Sequence, residues 1–205
     1  MKDIQVYTQD DIASLTAGEK YSRCVFDNLE MDQLDLSDCT FTDCSFEKTN
    51  LAGTKLNGSV FNQCNLSNAV VVGTNFFAAE FTETKLLGVI LSRAFSFIGA
   101  QFTRCNFDYA DLRAMDLSGL DLSHSSFIET DLSLTNLEKT SFINSQFINV
   151  NINLSKLLMT DLRGATIQGI SLQNSNLDGI ILTAHQLEML ANEIGITVME
   201  SEEKK

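Results

Sequence analysis

The 205-residue chain has no proline and no tryptophan, only two histidines, and 14 lysines and arginines against 27 aspartates and glutamates. Each shortage excludes something. With few basic residues and a net charge of −13, the chain lacks the cation clusters that neutralise phosphates, so direct binding to nucleic acid is not expected. A basic partner, or a protein site that normally receives DNA, fits this charge better. No apolar run approaches a membrane span, and MKDIQVYTQDD lacks the apolar stretch of a signal peptide, so a cytoplasmic protein that does not enter a membrane is expected. The five cysteines, an odd number without an export signal, predict reduced thiols rather than a disulfide framework. At 44% hydrophobic residues the composition is not that of a disordered chain, and there is material for one large domain or two small ones.

What the chain does have is a period of five. In NFDYADLRAMDLSGLDLSHSSF the triplets Ala110-Asp111-Leu112, Met115-Asp116-Leu117 and Leu120-Asp121-Leu122 recur at that spacing, which neither a helix nor a strand explains. Calling the apolar centre of each five position i, fourteen units run without a miss from Phe26 to Leu91. After a slip of one residue, eighteen more run from Phe97 to Leu182. Position i−2 is mostly small, and no charged residue occupies i or i−2. If i and i−2 share one side of an extended piece and the chain turns before the next, the result is a solenoid with an apolar interior and a polar exterior.

Thirty-two such units resemble the pentapeptide repeat family over about residues 22–183. That resemblance implies an all-β fold, a right-handed quadrilateral parallel β-helix with four units per coil and about eight coils, roughly 38 Å long at one strand spacing per coil. Residues twenty apart then stack, as Cys24 with Cys44 and Cys64, or Phe41 with Phe61 and Phe81. Across the slip at 91–97 the offset becomes twenty-one, so Phe76 should sit under Phe97.

No reaction centre emerges. All five cysteines fall at i−2, where a small, mildly apolar side chain is wanted, and a linear ladder of thiols does not offer tetrahedral metal geometry. His124 and His185 are far apart, and no nucleotide-binding motif is present. No enzymatic activity, metal or cofactor is expected.

Residues 1–21 do not keep the beat. Thr8 and Asp11 form a capping signal for a short helix through Ala17 that would cover one open end. At the other end, residues 184–205 carry a helix capped by Thr183, with Leu187, Leu190 and Ile194 on one face and Gly195 at its end; a short strand-like piece, Ile196 to Met199, and a frayed tail follow. Gln186, Glu188, Leu190 and the GITV of Gly195–Val198 resemble the closing segment of the Qnr-like branch of the family. That branch protects DNA gyrase and topoisomerase IV from quinolones, is understood as DNA-mimicking, and pairs two rods tail to tail. The resemblance implies a homodimer through Leu187, Leu190, Ile194, Ile196 and Val198; a cap on a monomer is the other reading.

Three outer surfaces are candidates for contact. Carboxylates cluster in two blocks, and Asp27, Asp32, Glu47, Asp108, Asp111, Asp116, Asp121 and Asp131 are the partner-binding candidates, unless the acidic exterior only confers solubility. Around the slip, Arg93 and Phe95 with the outward apolar residues Val70, Val72, Phe77, Leu87, Ile90 and Ile98 form either a contact patch or local packing. Ile128, Ile143 and Ile148 form a second outward apolar set. Two functions remain: a non-enzymatic DNA mimic that binds gyrase or topoisomerase IV and protects it from poisons such as quinolones, or an interaction scaffold or effector with another protein partner.

Overall fold

In the computed structural model, which describes residues 4–170, 176–193 and 197, each unit of five is one short extended piece and one turn. The residue at i−1 pairs with its counterpart one coil away. The residues at i+1 and i+2 turn the chain, and i+2 takes a positive φ even where it is not glycine, as at Asn28 (59°) and Leu134 (62°). One corner per unit brings the chain back above itself after twenty residues, and parallel bridges run Val25–Ser45–Asn65–Lys85 and Asp35–Lys55–Asn75. The product is a four-sided β-solenoid of about eight turns, closed by one short helix.

Its four walls are named here by their inner residues. Wall A holds Leu36, Leu56, Phe76, Phe97, Leu117 and Leu137; wall B holds Phe41, Phe61, Phe81, Phe102, Leu122 and Phe142; wall C holds Phe26, Phe46, Leu66, Leu86, Phe107 and Phe127; wall D holds Met31, Leu51, Val71, Leu91, Leu112 and Leu132. All are buried except half-buried Phe97. Wall B contains a parallel sheet of β2 (Lys20–Ser22), β4 (Thr40–Thr42), β5 (Val60–Asn62), β6 (Glu80–Thr82) and β7 (Gln101–Thr103). Its phenylalanines stack with centroids 5.0, 4.9 and 4.9 Å apart, close to the spacing of the strands that carry them. Burying each ring contributes about 1.5–3 kcal/mol, and each stacked pair about 0.5–1.5 kcal/mol more.

The small residues at i−2 do more than leave room. Their hydroxyls and thiols donate to carbonyls of the coil beneath, as from Thr54 Oγ1 to Met31 O (2.6 Å), Thr74 Oγ1 to Leu51 O (2.7 Å), Thr140 Oγ1 to Leu117 O (2.8 Å) and Cys64 Sγ to Phe41 O (3.4 Å). Each coil is therefore tied to the last through its interior as well as its walls. The cysteines belong to this set. Burial pushes the Cys105 thiol up to about 12, which keeps it protonated and unreactive.

The slip falls at the corner between walls D and A. The extra residue is taken up by a single 3-10 turn, Leu91–Arg93, which thrusts Phe95 outward while the Phe95 N–H still bonds Thr74 O at 2.8 Å. Beyond it the offset is twenty-one, with bridges Asn75–Ser96, Lys85–Asn106 and Ile90–Asp111, and Phe97 stacks on Phe76 at 5.0 Å.

At the N-terminal end the wall begins at β2, slightly ahead of the expected start at residue 22. Before it, β1 (Gln5–Val6) pairs with β3 (Cys24–Val25), so residues outside the beat still join the ladder. Thr8 and Asp11 do form a capping box, but the helix is 3-10, spans Gln9–Ser14 and stops short of Ala17. It covers the end with Ile12 and, just past its last residue, Leu15, both buried. At the other end, α1 (Ala184–Glu193) starts at a Thr183–Gln186 capping box. Gln186 Nε2 also donates to Leu162 O (2.6 Å) and Ala165 O (2.8 Å), satisfying carbonyls that no further coil covers. No described helix is long and apolar enough to cross a membrane.

Candidate interaction surfaces

Two geometries recur among the outer carboxylates, one at i−1 and one at i+1. At i−1, a side-chain oxygen accepts the backbone N–H two residues on, which braces the turn. Asp111 so accepts Arg113 N–H (3.0 Å), Asp116 Ser118 N–H (3.0 Å), Asp121 Ser123 N–H (3.0 Å) and Asp131 Ser133 N–H (2.9 Å). Asparagine does the same at Asn136 and Asn151. Units with Val25, Lys55, Lys85 or Lys156 at i−1 turn without this brace, so the acceptor reinforces the turn rather than creating it, and aspartate rather than asparagine adds only the charge.

These bonds hold several carboxyls below the usual range. The Arg113 guanidinium does so for Asp111, the Ser118 hydroxyl for Asp116, and the Ser37 hydroxyl with the Lys55 ammonium brings Asp35 to about 2. Arg113 Nη2 lies 2.6 Å from Asp111, and its Nε lies 3.7 Å from Asp131 one coil on, so one cation partly neutralises that pair.

At i+1 the outcome differs. Asp27 turns into the wall and accepts Ser45 Oγ–H (2.5 Å) and Glu47 N–H (2.8 Å). Asp108 repeats this with Ser126 Oγ–H (2.6 Å) and Ile128 N–H (2.9 Å), and is only 9% exposed. Both were expected on an outer acidic face; both are struts between coils. Glu47 pairs with Lys48 at 3.7 Å. Asp32, Asp116 and Asp121 remain exposed. The eight candidates do not line one wall: Asp111 and Asp131 stand on wall D, Asp116 on wall A and Asp121 on wall B.

Around the slip, Phe95 and Ile98 are 77% and 74% exposed, and Arg93, Phe77, Val70, Val72 and Ile90 are also exposed. Leu87 is half-buried at the preceding corner, between walls C and D, and does not adjoin Phe95. Ile128, Ile143 and Ile148 are half-buried. More exposed are Leu134, Leu154 and Met159, which occupy the positive-φ turn position that the apolar-centre pattern does not monitor.

On α1, Leu187 and Leu190 do not share one environment. Leu190 is buried over Ile167 and Ile170 at the end of the core, whereas Leu187 is 60% exposed. Ile194, Ile196 and Val198, with the expected stop at Gly195 and the tail, lie outside the described residues.

Comparison with known proteins bears on what carries these surfaces. The sequence matches the family described as pentapeptide repeat region over residues 19–91 and 100–185, and the interval between them contains the slip. This chain belongs to the pentapeptide repeat family. No curated protein matches the sequence. Among solved structures, a trypsin-treated variant of QnrB1, a plasmid-mediated fluoroquinolone resistance protein, superposes on this pentapeptide repeat protein with a TM-score of 0.73 at 20% identity. The match covers 96% of this chain and 95% of that one. Full-length QnrB1 gives 0.66 at 19% identity, over 94% and 95% of the two chains. At these identities the likeness is one of fold.

Proposed function

We propose that this pentapeptide repeat protein is a non-enzymatic DNA mimic that occupies the DNA-binding groove of DNA gyrase or topoisomerase IV and protects the enzyme from poisons of the quinolone type. The observation that carries this reading is the match to QnrB1 along nearly the whole of both chains. The sign of the charge supports it. Between Cys24 and Leu182 there are 18 carboxylates. Nine lysines and arginines in the same span leave a net charge of −9, about one per 4 Å along a rod of roughly 38 Å, a sparser negative exterior than the phosphates of duplex DNA at about 1.7 Å. Asp116 and Asp121, exposed and braced, are the carboxylates best placed for a basic groove, with Asp32, Asp111 and Asp131 beside them. A cytoplasmic location and a homodimer joined through the C-terminal segment, including Leu187, Ile194, Ile196 and Val198, belong to the same proposal.

Gyrase supercoiling with and without a fluoroquinolone tests it. The protein is expected to restore supercoiling in the presence of the drug, less so as salt rises. Asp116→Asn with Asp121→Asn should weaken protection while leaving the fold intact, since asparagine braces the same turn. No effect on supercoiling under either condition overturns the proposal. The exposed Phe95 and Ile98 favour a second reading, a scaffold that meets another protein through the slip.

A further inference from the structure

Apart from the Val70–Ile90 step beside the slip, where a single bridge is also missing, the ladder among the described residues is interrupted at one level, on two adjacent walls. On walls C and D the coil carrying Phe107 and Leu112 is bonded to the next: Phe107 N–H to Ser126 O at 2.8 Å, Ser126 N–H to Cys105 O at 3.0 Å, and Leu112 N–H to Asp131 O at 2.9 Å. On walls A and B of the same step, bridges from Ser96 to Asp116 and from Gln101 to Asp121 are absent among the described residues. The N–H groups of Phe97, Gly99 and Arg104 on one side, and of Asp116 and Asp121 on the other, have no backbone partner among the described residues. Their equivalents one coil away do: Phe76 N–H reaches Ser96 O, Ala78 N–H reaches Ile98 O, Asn136 N–H reaches Met115 O and Ser141 N–H reaches Leu120 O, all at 2.9 Å.

The cause is written at i−2. Met115 and Leu120 are long, unbranched at Cβ and consecutive where most units put Ser, Thr, Cys or Ala, whereas a single branched residue such as Val150 leaves the ladder beside it intact. Two consecutive large residues at this position recur at Leu29 and Leu34, in the first coil. Met115 and Leu120 are held half-buried rather than drawn into the interior, and the coils part beneath them. Two grooves result, about 430 Å³ on wall A and 400 Å³ on wall B, which share Leu120 at the corner between the walls. Each is within the size range of ligand clefts, on the order of 300–1,000 Å³.

We propose that this slot is a docking site for an extended, basic and apolar segment of a partner protein, which adds to the open edges as a strand. Free N–H and C=O groups on an exposed strand edge are the recognition elements of strand addition, and alternate side chains supply specificity. Half-buried Phe97, Met115 and Leu120 offer an apolar floor. Asp116 is the one charged group lining the wall A groove; on wall B, Asp121 stands with Arg104 and His124. The segment therefore carries its cation over wall A and an apolar anchor at the corner. Recognition runs through backbone edges, so it does not depend on the topoisomerase reading.

A capped pentapeptide of sequence Lys-Val-Leu-Val-Lys, titrated into isotope-labelled protein to about 1 mM and followed by NMR, tests this. Saturable shifts are expected at the amides of Phe97, Gly99, Arg104, Asp116 and Asp121. A peptide N-methylated at both valines, and one with glutamates for lysines, should each bind at least about tenfold more weakly, a difference of 1.4 kcal/mol. Met115→Ala with Leu120→Ser, which restores small residues at i−2, should abolish the shifts. No shift at these amides, equal binding of the N-methylated peptide, or undiminished binding by a folded double variant overturns the proposal. If the double variant does not fold, the comparison of peptides on the unaltered protein decides.

Discussion

Phe97 lies over Phe76 with ring centroids 5.0 Å apart, although twenty-one residues separate them where every regular stack has twenty. The extra residue is stored outside the stack, in the turn that exposes Phe95. Neighbouring phenylalanines should therefore differ sharply in their effect on stability. Phe97→Ala is expected to cost about 2 kcal/mol, somewhat below a fully buried ring because Phe97 is half-buried. Phe95→Ala should stay within about 0.5 kcal/mol. Urea midpoints of the two variants check this, and equal losses would contradict the placement of the slip.

The interior hydroxyls give a second prediction. Thr140→Val keeps shape and volume but leaves the Leu117 carbonyl without its 2.8 Å partner inside the solenoid. A loss of about 1–2 kcal/mol is expected, and Thr140→Ser should recover the part owed to the hydrogen bond. Denaturation curves of both variants separate bonding from packing.

Much of this architecture was legible in the sequence, because five-residue periodicity is a direct projection of the winding. The walls, the stacking of Cys24 with Cys44 and Cys64, and the offset of twenty-one across the slip all follow from counting. What counting missed is chemistry within a phase. Asp27 and Asp108 read as outer charge because i+1 faces outward, yet where the next coil has a serine at i−1, as with Ser45 and Ser126, a carboxylate there reaches that hydroxyl and the N–H two residues on. The weight of Ser, Thr and Cys over Ala at i−2 was a visible sign of the inter-coil hydrogen bonds. Met115 and Leu120 were visible too, in the very triplets that announced the repeat; an apolar residue at i−2 satisfied the pattern, and only its size betrayed the break. Leu187 and Leu190 share a helical face by spacing, but the finite width of the solenoid end covers one and not the other.

Stability should fall with acid in a definite window. The folded state holds Asp35 at about 2, and Asp111, Asp116 and Asp161 below their ordinary range. A carboxyl whose folded value is depressed contributes stability above its unfolded value, about 3.9, and that contribution disappears as pH falls through the folded value. The denaturation midpoint is therefore expected to decline as pH drops from about 4 toward 2. Combining Asp35→Asn, Asp111→Asn and Asp161→Asn should flatten that decline, because the turns stay braced while the titrating groups are gone. These sites are largely solvent-facing, so the effect of each is modest.

The closing helix offers a clean separation of roles. Leu190→Ala should loosen the end of the solenoid, at a cost of about 2–3 kcal/mol, because it empties a buried position. Leu187→Arg should leave the melting temperature unchanged and shift the molecular mass in solution from dimer to monomer. Light scattering at micromolar concentration reads this directly. A monomer before any substitution removes the dimer.

The brace at i−1 accepts aspartate or asparagine with the same geometry, so the outer surface behaves as a grid of sites whose charge is independent of the scaffold beneath. Each exchange changes the local potential by one unit at a fixed address, set by wall and coil, without moving the backbone. A rod built this way can be retuned toward a more or less basic partner in single, additive steps, much as one resets individual pins on a cylinder while the cylinder itself keeps its shape.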